Sequence, residues 1–197
     1  MFFSIFFVKE VKDRFLVEYE TAFVDNISHG KLNKQPEKNH NVSIKEAWIN
    51  TKFQQTDFFP GTALRVYQAR IFMEMLQEEP LFLKGFGLEA SQYRIREKAK
   101  EHNLFYDYGE YNFHNQYIQS FTDLGIVGLL LLVIMLTVNL NNGLLKKDYP
   151  HIAFAITMIM LFLSESFFCR QRGIVFFILL YCLFNASTKY RDNSLKP

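Results

Sequence analysis

The sequence predicts an all-α, polytopic membrane protein with a large external loop domain, and three observations carry that reading. Residues 124–145, 151–169 and 173–188 form long apolar runs. Residues 9–119 are charged, aromatic and mixed. Lysine and arginine gather in the Lys146–Lys147 pair and again in the tail at Lys189, Arg191 and Lys196, which assigns both to the cytoplasmic side under the positive-inside bias. Composition averages over this division: the 197 residues carry a net charge of +2, with 49% hydrophobic and 17% aromatic residues, and the mean hydropathy is -0.03.

In chain order, Met1–Val8 is apolar but far shorter than the roughly 20 residues a helix needs to cross hydrocarbon. It also lacks the basic start of a signal peptide. Residues 1–8 are therefore expected to be the end of a partial fourth span, as in a chain cut from a longer polytopic protein. Residues 9–119 form the extracytoplasmic loop domain of helices and irregular segments. Residues 25–60 show no clear period. Thr62–Glu79 reads as a helix, because Leu64, Tyr67, Ile71, Phe72 and Met75 recur on one side at a period near 3.6. Pro80 ends it. Residues 89–101, with Arg94, Arg96, Lys98 and Lys100, read as a second, more polar helix.

Residues 120–145 are the first full transmembrane helix. Its uncharged stretch Leu124–Leu145 rises about 33 Å at ~1.5 Å per residue. Pro150 favours a break before the second span, 151–169. The third, 170–188, is expected to recruit Arg170–Arg172, since its apolar run alone rises only about 22 Å. Both guanidiniums then lie at the outer interface, and residues 189–197 form a cytoplasmic tail. Cys169 and Cys182 have neither metal-ligand spacing nor a paired framework, and read as free, apolar residues.

Two features of the loop domain bear on chemistry. Gly85 and Gly87 stand just before the second predicted helix. They suit a tight turn folded against the membrane domain or, as the lesser alternative, a backbone cradle for an anion. Asn112–Phe121 runs from polar residues directly into the first span and contains His114 and Asn115.

Arg65, the segment Pro80–Gly87, the run His114–Ile118 and the pair Leu124–Gly125, in that order and approximate spacing, resemble the C-terminal core of the O-antigen ligase and polymerase superfamily over about residues 60–188. Ala69 stands where that family commonly has a tryptophan. The resemblance implies a cofactor-free, metal-independent enzyme of the bacterial inner membrane, with residues 9–119 facing the periplasm. Its expected partners are an undecaprenyl-diphosphate-linked glycan donor, a lipid A core or growing glycan acceptor, and the lipid bilayer, with no nucleic acid among them.

Such transfer needs a base to deprotonate the acceptor hydroxyl, and histidine titrates closest to neutrality, so His114 is the candidate. It also needs donors where diphosphate charge builds, a task suited to the planar guanidinium of Arg65 and, as substrate-binding groups, Arg170 and Arg172. Asn115, Gly85 and Gly87 complete the substrate-binding set. Arg70 lies five residues from Arg65, about 140° around a helix, so the two cannot point into one pocket, and Arg70→Ala is expected to impair transfer much less than Arg65→Ala. For Arg170 and Arg172, interfacial anchoring or pairing with Glu165 stands level with diphosphate binding. The Arg94–Lys100 run reads first as a solvated face, and Tyr106, Tyr108, Tyr111 and Phe113 as an interfacial belt before a sugar platform. The rival class is a non-catalytic membrane subunit whose external loop binds a glycan or a protein partner.

Overall fold

The structure is a computed structural model describing residues 40–193, together with Lys12, Asp13 and Leu16 and without the side chains of Leu81 and 187–193. The expected partial span at residues 1–8 and the last tail residues, 194–197, lie outside the described residues. Among the described residues the architecture is all-helical. The helices are α1 (Ile44–Ile49), α2 (Gly61–Glu78), α3 (Leu81–Lys84), α4 (Ala90–Glu101), α5 (Gln116–Lys146), α6 (Tyr149–Ser164) and α7 (Gln171–Asn193). Three-ten turns at Tyr106–Glu110 and Phe167–Cys169 interrupt them. The chain divides into two compact units, residues 1–74 with 92–111, and residues 75–91 with 112–197.

The first unit is built on the predicted face of α2. Leu64, Tyr67 and Ile71 are buried, together with Ile95 and Ala99 of α4 and Phe53 and Phe59 of the preceding loop. Fully burying each large side chain is worth about 1.5–3 kcal/mol. The segment without a clear period contains the short helix α1. Its signal is a capping box: Glu46 N donates to Ser43 Oγ at 3.3 Å and Ser43 N donates to Glu46 Oε2 at 2.8 Å.

Polar groups also enter this core. Arg70 Nε donates to Glu74 Oε1 at 2.7 Å, and its Nη1 reaches Ala47 O at 3.4 Å and Asn50 O. His102 Nδ1 is 3.0 Å from the Tyr67 hydroxyl, and its Nε2 is 3.3 Å from Glu74 Oε2. A neutral imidazole protonated on Nε2 satisfies both contacts. Burial, and then Glu74, push the Tyr67 phenol far above its ordinary range, which keeps it a proton donor. Burial likewise pushes His102 below its ordinary value.

The second unit holds the apolar helices. α5 is 31 residues long and breaks at Gly125, whose φ of 67° and ψ of -158° are not helical. The portion after the break, residues 126–146, rises about 31 Å, close to the roughly 30 Å of a bilayer's hydrocarbon core. α5 is the one helix among the described residues that is long and apolar enough to cross a membrane. α6 and the Gln171–Ala186 part of α7 are apolar and shorter. α5 and α6 pack as a hairpin, turned by Lys147 in the left-handed region (φ 53°) and by Asp148, which caps α6 ahead of Pro150. Their core with α7 is Leu132, Leu136, Phe154, Met158, Phe162 and Phe177. α7 starts at Gln171, so Arg172 is drawn into its first turn as the sequence requires, whereas Arg170 stays outside as the cap of the three-ten turn.

Candidate functional site

The entry to α5 is organised by Asn112, His114 and Asn115. Asn112 Oδ1 accepts a 3.0 Å bond from His114 N, and the chain turns so that His114 takes φ +46°. This left-handed conformation is uncommon outside glycine, though His visits it more than most residues. Asn115 then caps α5, its Oδ1 accepting from Tyr117 N at 3.0 Å and Ile118 N at 3.1 Å.

The same residues close the gap between α6 and α7. Asn115 N donates to Ser166 Oγ at 3.1 Å, Asn115 Nδ2 donates to Leu163 O at 3.2 Å, and Phe168 N donates to Gln116 Oε1 at 2.7 Å. A backbone interruption amid apolar helices needs such partners, because the surrounding apolar side chains offer none. The outcome is that Glu165 Oε2 lies 3.5 Å from His114 Nδ1, an ion pair when the imidazole is protonated, with side chains 35% and 18% exposed. Sequence reasoning gave Glu165 only to the arginines. Its signal as a site residue was its position as a lone acid within the 151–169 apolar run.

The glycine loop meets the break in α5. Phe86 N donates to Thr122 O at 2.7 Å and Gly87 N to Asp123 O at 2.9 Å, satisfying carbonyls that the break removes from the helical ladder. Gly85 (φ 64°) and Gly125 approach backbone to backbone. A Cβ on Gly85 would come within 2.6 Å of Asp123, Leu124 and Gly125 backbone atoms, and one on Gly125 within 2.5 Å of Leu83. The amides of Phe86 and Gly87 are thus engaged within the protein, which is the tight-turn alternative for this loop and not the anion cradle.

No known protein family, curated protein or solved structure matches this chain.

The remaining predicted residues are distributed more widely. Arg65 is exposed on α2 in the first unit, whereas His114 and Asn115 belong to the second. Arg70, expected to matter little for transfer, is buried and bonded to Glu74 and α1. Helical geometry does turn it away from Arg65, but toward the core. Arg170 and Arg172 are exposed, and the Glu165 carboxylate offered to them by sequence faces His114.

The solvated Arg94–Lys100 face is mixed: Arg94 pairs with Glu97 and Arg96 with Glu110, both at 2.7 Å, while Lys98 is buried and 2.9 Å from Glu101. The four aromatics do not form one belt. Phe113 is in a core, the Tyr108 hydroxyl accepts from Phe59 N at 3.0 Å, and Tyr106 and Tyr111 are exposed.

Proposed function

We propose that this chain acts as a membrane-embedded glycosyltransferase of the O-antigen ligase or polymerase type, moving a glycan from an undecaprenyl-diphosphate carrier to a lipid A core or a growing glycan. The observation that carries the reading is the His114–Glu165 pair at the entry to the long apolar helix. In such a transfer the acceptor oxygen bonds to the anomeric carbon while the bond to diphosphate breaks and its electron pair leaves with phosphate. A carboxylate 3.5 Å from Nδ1 favours the imidazole orientation that turns this nitrogen to Glu165 and leaves Nε2 to receive the hydroxyl proton. Arg170 and Arg172, in the same unit as His114, supply permanent charge and planar donors for the departing phosphate oxygens.

The polytopic arrangement in the bacterial inner membrane is supported by the apolar surfaces that α5, α6 and α7 leave exposed, including Val127, Leu131, Ile156, Met160, Val175 and Leu179. His114 and Glu165 lie at the hairpin end opposite Lys146 and Lys147, which fits a cytoplasmic lysine turn and a periplasmic site.

The test is transfer in membranes supplied with the lipid-linked donor. His114→Gln lowers the rate by about 10²–10⁴, with the protein present at wild-type level. Glu165→Gln lowers it less, and Glu165→Asp recovers part of the loss. Wild-type transfer by His114→Gln would end the catalytic reading in favour of a non-catalytic membrane subunit whose loop binds a glycan or a protein.

A further inference from the structure

Within the first unit, a cleft of about 450 Å³ lies between the end of α4 and the Tyr106–Glu110 turn, within the roughly 300–1,000 Å³ common to small-ligand sites. Asn103 creates it. In the left-handed conformation (φ 58°) it ends α4, and Leu104 N returns to Ala99 O at 2.8 Å with the Leu104 side chain buried. The turn that follows is clamped to α4, because Gly109 packs against Ala99 and Arg96, and Gln92 Nε2 donates to Gly109 O at 2.6 Å.

That clamp holds two aromatic rings in the open. Tyr106 is 73% and Phe105 41% exposed, their centroids 5.0 Å apart and their planes tilted by 51°. The same cleft is lined by Gln55, Asn103, Lys100 and the 2.7 Å Arg96–Glu110 ion pair. Exposed rings beside amides and fixed charges suit a ligand with an apolar face and a hydroxyl edge, which is the chemistry of a pyranose. An inorganic anion has no use for the rings, and a purely apolar ligand would leave the ion pair unmatched. Lys100, lining the cleft beside the Arg96–Glu110 pair, adds a preference for acidic sugars.

We propose that the Phe105–Tyr106 cleft binds a short stretch of glycan, with acidic sugars favoured through Lys100. This goes beyond the transfer reading and does not depend on it, since binding here needs no chemistry at His114. The experiment uses the full chain in lipid nanodiscs, with maltohexaose as the neutral probe and a hexamer of galacturonic acid as the acidic one, followed by saturation-transfer NMR and calorimetry. Both probes bind, the acidic one more tightly. Tyr106→Ala weakens both by about ten-fold, and Lys100→Gln removes the acidic preference while maltohexaose still binds. His114→Gln leaves binding unchanged, so failure of the transfer reading is told apart from failure of this one. Absence of binding by either probe at millimolar concentration, or wild-type affinity in Tyr106→Ala, overturns the proposal.

Discussion

The two units bury polar groups in different ways. In the first, charge is matched with charge: Arg70, Glu74, Lys98, Glu101 and His102 form one connected cluster joined by Tyr67. In the second, neutral amides and hydroxyls of Asn115, Gln116 and Ser166, with backbone N–H groups of Phe86 and Gly87, close the interruptions of apolar helices. The cluster organises a core, whereas the neutral groups satisfy backbone groups at breaks in apolar helices. A histidine beside a carboxylate in the second unit stands out against that habit, and His114–Glu165 is such a contact, placed at a break.

The comparison is broken most strongly at Arg70. Arg70→Ala leaves Glu74 half-enclosed without its closest cation and the Asn50 carbonyl without its donor, a loss of about 3–5 kcal/mol by analogy with severed buried pairs. Arg65→Ala, on the exposed side of the same helix, changes stability by less than about 0.5 kcal/mol. Denaturant unfolding followed through Trp48, the single tryptophan, reads the difference. Equal stability of the two variants would mean that the cluster is not what holds the first unit.

A smaller effect separates the units by pH. Burial depresses His102 in the folded chain, against the pull of Glu74 and with Arg70 and Lys98 opposing protonation. The unfolded chain therefore binds the proton first as pH falls through the ordinary value of 6.5. Stability is complete above that value and declines below it, with a slope of at most about 1.4 kcal/mol per pH unit for one proton. Glu101, held below its usual range by Lys98, acts in the same direction but is exposed and contributes little. His102→Gln flattens the slope between pH 6.5 and 5, while Glu101→Gln leaves it nearly intact. An unchanged slope in His102→Gln would assign the acid sensitivity elsewhere.

Legibility in the sequence followed the same divide. The α2 face was readable because Leu64, Tyr67, Ile71 and Met75 repeat at the helical period and all are buried. The apolar runs were readable by length, yet the break at Gly125 was not, since a glycine in an apolar helix carries no sign that Gly85 will pack against it. α1 was missed because six residues are too few for a period, although Ser43 and Glu46 announced its start. The structural role of Arg70 was not legible, because helical spacing gives only the angle from Arg65 and not which side the core occupies. Glu165 needed the fold, since 51 residues separate it from His114 and their segments are drawn together by the bonds of Asn115 and Gln116 to Leu163, Ser166 and Phe168.

The smallest expected effect lies at Asn115, where a cap and a predicted substrate contact share one side chain. Asn115→Ala removes the acceptor for Tyr117 N and Ile118 N and costs about 1 kcal/mol. Asn115→Asp keeps that acceptor, and its charge suits a helix N-terminus, but it loses the Nδ2 donor to Leu163 O. Stability should therefore rank wild type, Asp, then Ala, with the span covering about 1 kcal/mol. If the side chain serves only the cap, transfer in membranes follows the same order. If it also contacts substrate, Asn115→Asp loses transfer far beyond its loss of stability, because a carboxylate repels the diphosphate that an amide would tolerate. Transfer that tracks stability across all three would remove Asn115 from the substrate-binding set and leave it as the cap that brings His114 to Glu165.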